Sequence, residues 1–220
     1  MIKKLLATGL LAAFSVVAQA QATLGGNLIV NGGAEAGVSG WTGFDGYPLF
    51  QSVDYGSNWV LPTQPGPADR GSKMFAGFGG QTAGFQVVEL GVLAGQALHY
   101  DLSGWLGGWQ TQGDNALLYV SFLDTVGNEI GFASIGPVMP ADRGNQTGLF
   151  LRGASGLLPT QTTSLMFSLS MERQGGGDND GYADNLSFVV TSAVPEGSTL
   201  AYLLAGLGLV GGVVVRRRSC

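Results

Sequence analysis

Polar and apolar residues alternate with a period of two over several short stretches, a pattern typical of half-buried β-strands. In residues 97–106, Leu98, Tyr100 and Leu102 share one predicted face, and polar residues occupy the other. In residues 164–171, apolar side chains on one face alternate mainly with serines on the other. Between the two termini, no stretch longer than about ten residues shows a helical period.

The remaining strands are predicted from short apolar runs bounded by glycine, proline or asparagine. They lie at residues 27–31, 73–78, 84–90, 116–123, 129–135, 148–152 and 182–190. The dipeptide Gly127-Asn128 predicts a hairpin over residues 116–135. Residues 43–72, rich in glycine, proline and aromatic residues, predict a loop with few clear strands. About nine or ten strands within residues 23–192 predict an all-β fold, a single β-sandwich of jelly-roll type.

Charge is distributed unevenly along the chain. Charged residues make up 11% of the 220 residues, and half of the ten basic residues lie in the terminal segments. Residues 23–192 contain five basic residues against fourteen acidic ones, a net charge of −9. Binding to a phosphate backbone needs clustered lysine and arginine, so this balance argues against nucleic acid as a partner. It is compatible with calcium binding, or simply with solubility.

Residues 1–22 have the three parts of a secretory signal peptide. Two lysines precede an apolar stretch at residues 5–17, which is too short for a comfortable membrane span. The small residues Ala18 and Ala20 form a site for signal peptidase, and a second site ends at Ala22. The sequence therefore predicts export through the inner membrane, with an uncleaved N-terminal anchor as the alternative.

A second apolar segment lies at the C-terminus, in residues 193–220. Its apolar run, residues 200–215, is just long enough to cross a bilayer, and three arginines follow it. Arginines at that end favour the cytoplasmic side, so the body is expected outside. A short motif precedes the run and comprises Val194, Pro195, Glu196, Ser198 and Thr199.

The order of motif, apolar run and arginines resembles the PEP-CTERM sorting domain of exopolysaccharide-producing Gram-negative bacteria. In that family, a membrane-embedded exosortase recognises the motif and processes the tail, and the mature protein reaches the cell surface or the outside. The resemblance implies an exosortase as a partner and a transient membrane anchor. This chain has Gly197 where the family usually has a second proline. An ordinary C-terminal anchor is the alternative.

Three segments of the body carry a second resemblance. They are an opening NLIVNGGAE at residues 27–35 followed by Gly40-Trp41, a central LSGWLGG at residues 102–108, and a closing YADNLSF at residues 182–188. These segments resemble the first turn, the central strand and the last strand of galactose-binding-like and carbohydrate-binding-module jelly rolls. The resemblance implies a jelly-roll body and a role in binding sugars.

The sequence offers little for catalysis. A Ser-His-Asp hydrolase needs a histidine base, and the single histidine, His99, is expected on a solvent-facing strand position with no serine motif beside it. The only cysteine is Cys220, so the body has no thiol for catalysis or for a zinc site. Paired carboxylates of a glycosidase are an alternative, although no motif marks a pair. We therefore expect a protein that is not an enzyme.

Calcium suits the acidic residues of the body, because it binds oxygen ligands alone. Asp178 and Asp180 lie in the glycine-rich loop 175–181, which lacks the spacing of an EF-hand. In the jelly-roll family, a structural calcium often lies where the first turn meets the last strand, and the resemblance assigns Glu35 and Asp184 to that place. Such an ion would stabilise the fold, and an acidic solvated turn is the alternative.

Sugar binding would use aromatic rings against the apolar faces of sugar rings, with polar side chains fixing the hydroxyls. Trp109 is the most suggestive residue, because it lies between a glycine pair and a polar stretch. Tyr55 and Trp59 complete the predicted glycan site. Trp41 and Trp105 are expected to pack in the core.

Together, these patterns predict an exported, non-catalytic protein of the cell surface or exopolysaccharide, with glycan binding as the specific hypothesis. Its partners would be signal peptidase and exosortase during processing, and extracellular polysaccharide afterwards. The main alternative is a structural matrix protein without a defined ligand, and a glycosidase-like enzyme is the third.

Overall fold

The computed structural model describes residues 22–56 and 58–193. The predicted signal peptide, apart from its last residue, and the sorting motif with its apolar run lie outside these residues. Both therefore stay predictions. Within the described ranges, no helix is long and apolar enough to cross a membrane.

The described chain forms ten β-strands in two antiparallel sheets, which confirms the predicted all-β sandwich. The strands are β1 (Thr42–Gly43), β2 (Gln51–Asp54), β3 (Lys73–Ala76), β4 (Gln81–Glu89), β5 (Leu98–Gly108), β6 (Asn115–Leu123), β7 (Glu129–Ile135), β8 (Gly148–Leu157), β9 (Ser164–Glu172) and β10 (Tyr182–Ser192). Two short 3₁₀ helices lie at Gly91–Leu93 and Ala141–Arg143. Sheet A has the order β2-β3-β10-β5-β8, and sheet B has the order β1-β4-β9-β6-β7.

The core lies between the sheets and follows the predicted alternation. On β5, the apolar face that begins at Leu98 is buried, and His99 lies on the outer side, with its Nδ1 3.6 Å from Oδ2 of Asp101. Phe167 of sheet B packs edge to face on Phe188 of sheet A, with ring centroids 5.3 Å apart. The hairpin of β6 and β7 is confirmed, with its turn at residues 124–128.

The predicted strand at residues 27–31 is wrong, because this segment forms turns that dock against β10. The side chain of Asn27 donates to the carbonyl of Leu186 and accepts from the amide of Phe188, at 3.0 and 2.9 Å. Asn31 then takes a left-handed conformation with φ of 52°, which ends any extended run. The side chain of Asn27, an isolated bridge to Val189 and the backbone bond from Leu28 to Phe188 thus dock the segment without a continuous strand ladder.

Strand β8 is five residues longer than predicted, since it continues to Leu157 rather than ending at Arg152. The extra segment contains Gly153 and Gly156, which have low strand propensity. It pairs with β5 without interruption as far as His99. Tertiary pairing therefore overrides the local preference of this segment.

A second apolar cluster lies on the outer face of sheet A, under the loop that joins β2 to β3. We call it the outer cluster; its buried members are Val60, Met74, Ala76, Leu149 and Tyr182, and its half-buried members are Val53, Tyr55, Trp59 and Trp105. Trp105 therefore packs on the outside of sheet A, whereas Trp41 is buried between the sheets as predicted. The amide of Leu149 donates to the carbonyl of Pro65 at 2.9 Å, which ties the loop to β8.

Both ends of the described chain leave the sandwich at one pole. The amide of Gly25 donates to the carbonyl of Val190, and the amide of Ala193 donates to the carbonyl of Ala97, both at 2.9 Å. We call this end the terminal pole; it comprises residues 22–26, 90–97, 124–128, 158–163 and 193. The opposite end, the far pole, comprises residues 77–80, 109–114, 136–147 and 173–181. Strand β10 runs lengthwise between β3 and β5, in the middle of sheet A.

Candidate functional site

Two of the aromatic residues predicted to bind sugar, Tyr55 and Trp59, lie together in the outer cluster. The Tyr55 ring lies under the guanidinium group of Arg70, 5.1 Å from the ring centroid. Trp59 packs edge to face on Tyr182, with the ring centroids 6.2 Å apart. Both side chains are half-buried. Both rings therefore help to hold the loop between β2 and β3 on sheet A.

The third predicted residue, Trp109, lies at the far pole, directly after β5. It is half-buried, and its carbonyl accepts hydrogen bonds from Arg143 and from the amide of Gln112, at 3.1 and 3.0 Å. Over residues 22–56 and 58–193, no ring contact joins Trp109 to Tyr55 or Trp59. The three residues of the predicted glycan site therefore lie in two separate parts of the fold, and their role in binding sugar stays a prediction.

Glu35 is exposed and organises the turn that leads into β3. Its Oε1 accepts from the backbone amides of Ser72 and Lys73, both at 2.8 Å, and its Oε2 accepts from the hydroxyl of Ser72 at 2.8 Å. These hydrogen bonds, the one from Lys73 above all, lower the pKa of Glu35. Burial, and to a smaller extent the charge of Glu35, raise the pKa of Asp184. The pairing of these two residues in one calcium site stays a prediction.

Asp184 is fully buried on β10. Its Oδ2 accepts from the hydroxyl of Tyr55 at 2.6 Å, and its Oδ1 accepts from the amide of Asn185 at 2.7 Å. Burial raises its pKa to about 7, although both hydrogen bonds oppose this shift. Among the described residues, no lysine or arginine forms an ion pair with it.

Asp178 and Asp180 belong to a different site, at the far pole. Asp180 is buried and accepts a hydrogen bond from the hydroxyl of Tyr182 at 2.6 Å, whereas Asp178 is exposed. Beside them lies Asp114, which was not predicted as a site residue. Asp114 is fully buried and accepts from three backbone amides of residues 174–180, at 2.7 to 2.9 Å.

Arg143 supplies the positive charge at this place, and its side chain is buried. Its guanidinium donates to the carbonyls of Val138 and Trp109 at 3.0 and 3.1 Å, and also to that of Gln112. Burial lowers its pKa, and the charge of Asp114 opposes that shift. Arg143 and Asp114 therefore join the loops of the far pole to one another.

The two acidic places differ in how well they suit calcium. At Asp184, burial and the charge of Glu35 raise the pKa of the carboxyl group and the charge of Arg70 lowers it, and a divalent cation would compensate the remaining negative charge. At Asp114 and Asp180, the charge of Arg143 already provides compensation. In the described ranges, no three acidic, histidine or cysteine side chains are placed to hold a metal. A calcium ion at Glu35 and Asp184 therefore stays a prediction.

In metal-free buffer, the free energy of unfolding is expected to fall as the pH rises from about 4 to 7. The pKa of Asp184 is about 7 in the folded chain, against a usual value of 3.8, so the folded state holds a proton that the unfolded state has released. The loss is expected to reach roughly 2–4 kcal/mol above the folded pKa. Urea titrations of the wild type and of Asp184→Asn, both in EDTA, measure it; parallel pH profiles for the two proteins would contradict this assignment.

The outer face of sheet B carries a set of aromatic residues that sequence analysis did not select. The Tyr119 ring stacks on Phe132, with centroids 5.2 Å apart and planes at 12°. Phe44 packs on Phe85, with centroids 4.8 Å apart. Phe132 is 59% exposed, and the other three rings are half-buried. Two aromatic pairs thus lie on one sheet face, both accessible to solvent.

The strand register places one serine between these pairs and a second serine beside Tyr119. Phe85 on β4 is opposite Ser168 on β9, Ser168 is opposite Tyr119 on β6, and Tyr119 is opposite Ser134 on β7. Phe85 and Tyr119 are therefore two strands apart, or roughly 10 Å. Strands β1, β4, β9, β6 and β7 contain no lysine or arginine. We call Phe44, Phe85, Tyr119, Phe132, Ser134 and Ser168 the aromatic face.

The aromatic face was missed because single residues on strands are weak signals. The sequence did contain one indication that the outer face is used: Leu117 and Tyr119 lie on the side of β6 opposite its buried face. Apolar residues on both faces of a strand indicate that the outer face is also used. The cross-strand register that aligns Phe85 with Tyr119 is a tertiary property and has no local signature.

No protein-family model and no curated protein sequence matches the chain. Among solved structures, the family 16 carbohydrate-binding module-2 is 26% identical and superposes with a TM-score of 0.48, over 74% of this chain and 99% of that one. The CBM22-1 xylan-binding domain from Paenibacillus barcinonensis is 16% identical with a TM-score of 0.46, over 80% and 99% of the two chains.

The enzymatically active domain of bacteriophage CBA120 tailspike protein 4 is 12% identical, with a TM-score of 0.49 over 75% of this chain. This chain spans about a fifth of that one, 21%. All three TM-scores are below 0.5, and the names describe different roles. A function therefore has to be argued from the residues of the site.

Proposed function

We propose that the protein is an exported, non-catalytic surface module of jelly-roll type that binds an uncharged glycan on its aromatic face. The observation that carries this proposal is the row Phe85, Ser168, Tyr119 and Ser134 on a solvent-accessible sheet face. Aromatic rings pack on the apolar faces of sugar rings, and serine hydroxyls both donate to and accept from sugar hydroxyls.

The charge of this face favours a neutral ligand. The strands of sheet B carry three acidic residues, Glu89, Glu129 and Glu172, and no basic ones. An anionic polysaccharide or a phosphate group would meet repulsion without a compensating arginine or lysine. A neutral polysaccharide has no such penalty, so the proposal names that class.

Replacing Tyr119 with alanine is expected to weaken binding to a neutral polysaccharide about tenfold or more, because it removes a stacking ring at the centre of the row. A glycan array on the exported body, residues 23–193, identifies the polysaccharide, and isothermal titration then measures the affinity of each variant. The double variant Phe85→Ala, Tyr119→Ala is expected to abolish binding. Thermal melting checks that the variants stay folded.

Trp109→Ala is the matched control, since it removes an aromatic ring at the far pole. Unchanged affinity in this variant, with loss in Tyr119→Ala, supports the aromatic face. The reverse result would move the glycan site to the predicted position at Trp109. Absence of binding to every polysaccharide on the array would favour the alternative, a structural matrix protein without a defined ligand.

The proposal for sorting rests on the sequence of the tail. An apolar run at residues 200–215, followed by arginines and preceded by the motif at residues 194–199, suits a transient anchor that an exosortase processes. Mass spectrometry of the mature protein from its native host tests this route. A mature chain that still ends at Cys220 would contradict exosortase processing.

We also propose a structural calcium at Glu35 and Asp184. Calcium would replace the proton of Asp184 and join the first turn to the last strand. Adding calcium after EDTA treatment is expected to raise the melting temperature at pH 8. Asp184→Asn should lose that response, whereas Asp178→Asn should keep it. An equal response in both variants would place the ion elsewhere.

A further inference from the structure

The three most exposed large apolar side chains of the described chain lie at the terminal pole or on the strand residue directly before it. Val126 is 78% exposed, Val92 is 73% exposed and Leu157 is 68% exposed. Val92 is in the 3₁₀ helix after β4, Val126 is at the tip of the β6–β7 turn, and Leu157 ends β8. Leu24 and Ile130 add further exposed apolar area at the same end.

Folding does not require apolar residues at these tips. The β6–β7 turn is held by Asp124, whose Oδ1 accepts from the amides of Val126 and Asn128 at 2.9 Å. Those bonds use the backbone of Val126, so its side chain takes no part in them. Turn tips usually carry polar residues, and apolar groups gathered at one end of a molecule mark a contact surface.

The chain that leaves this pole limits what the surface can meet. Residues 194–199 alone separate Ala193 from the apolar run at 200–215. Fully extended, these six residues span at most roughly 25 Å. When the apolar run is in a bilayer, the terminal pole is therefore held within a short distance of the lipid headgroups, and the far pole points away.

We propose that the terminal pole rests on the bilayer that anchors the chain, with Val92, Val126 and Leu157 inserted among the lipid headgroups. The inference rests on the anchoring part of the proposed function and is independent of glycan binding. Within the described ranges, the pole carries no lysine or arginine; Asp124 lies in its β6–β7 turn, and Glu89 and Glu129 lie at its rim. The apolar side chains therefore make the contact, and the three carboxylates favour uncharged over anionic lipids.

The test uses the full chain, with Cys220→Ser to remove the native thiol, reconstituted into phosphatidylcholine vesicles. Single cysteines are introduced as Val92→Cys and Val126→Cys, and as Phe78→Cys at the far pole, where the control side chain is 42% exposed. Each is labelled with an environment-sensitive fluorophore. Nitroxide-bearing lipids then report contact with the bilayer, and aqueous iodide reports contact with water.

The labels at positions 92 and 126 are expected to lose roughly half or more of their fluorescence to nitroxide lipids, because interfacial apolar groups lie about 5–10 Å deep. The label at position 78 should respond to iodide alone. Iodide quenching at all three positions would overturn the inference, and so would shielding from both quenchers, which indicates a second protein copy. Extraction of the chain by alkaline carbonate would overturn the anchor itself, a result distinct from either.

Discussion

Replacing Gly107 with alanine is expected to destabilise the protein by about 3 kcal/mol or more. Gly107 lies near the end of β5, where the backbone of β8 approaches it closely. A Cβ atom there would overlap the carbonyl group of Gly148, and that carbonyl belongs to a paired strand and has little room to shift. Urea unfolding of the exported body measures the change.

Gly153→Ala is the matched control for this prediction. Gly153 is also a strand glycine of the same pair, but it is exposed, and an added Cβ would meet its nearest neighbour, the carbonyl of Leu102, at an ordinary 3.5 Å. This variant is expected to change the free energy of unfolding by no more than about 1 kcal/mol, in the stabilising direction. Equal effects in the two variants would show that the close approach at Gly107 is relieved by movement of β8.

Replacing Asp114 with alanine is expected to cost roughly 3–5 kcal/mol in the free energy of unfolding. The buried carboxylate accepts from the amides of Gln174, Gly175 and Asp180, and its charge opposes the lowering of the Arg143 pKa by burial more strongly than that of Asp142 or Asp180. Its removal leaves three buried donors without an acceptor and weakens the compensation of the Arg143 charge. Thermal and urea unfolding measure the loss.

Asp178→Ala provides the control for Asp114, because Asp178 is exposed in the adjoining loop. We expect a change within about 0.5 kcal/mol. Asp114→Asn is expected to lie between the two, since its amide oxygen still accepts from part of the loop while the charge is lost. A near-wild-type Asp114→Ala would mean that water satisfies the loop amides and that the three loops hold together without the carboxylate.

The sequence predicts most of the strands of this fold, because period-two alternation reports burial directly. Strands such as β5 and β9 have one apolar face that must be covered, and the pattern alone locates it. The prediction fails at residues 27–31, because a short apolar run between two asparagines is compatible both with a strand and with a turn that docks on a sheet. Which of the two forms depends on the side chain of Asn27 meeting β10, a contact distant in sequence.

The candidate site was less accessible to sequence reasoning than the fold. Glu35 and Asp184 were paired through a family resemblance alone, and their pairing in one calcium site stays a prediction. Asp114 has no motif, because its importance comes from three backbone amides of a distant loop. The aromatic face depends on the register of strands β4, β9 and β6, which no local pattern specifies.

The position of β10 also decides how the body would respond to mechanical tension. A polymer held on sheet B and a tether leaving after Ser192 would pull along the axis of this strand. Because β10 pairs with β5 from Tyr182 to Ser192 and antiparallel hydrogen bonds lie across the strand direction, such a force would load them together in shear rather than open them one after another. A tether that follows β10 would thus pull on a strand paired along most of its length.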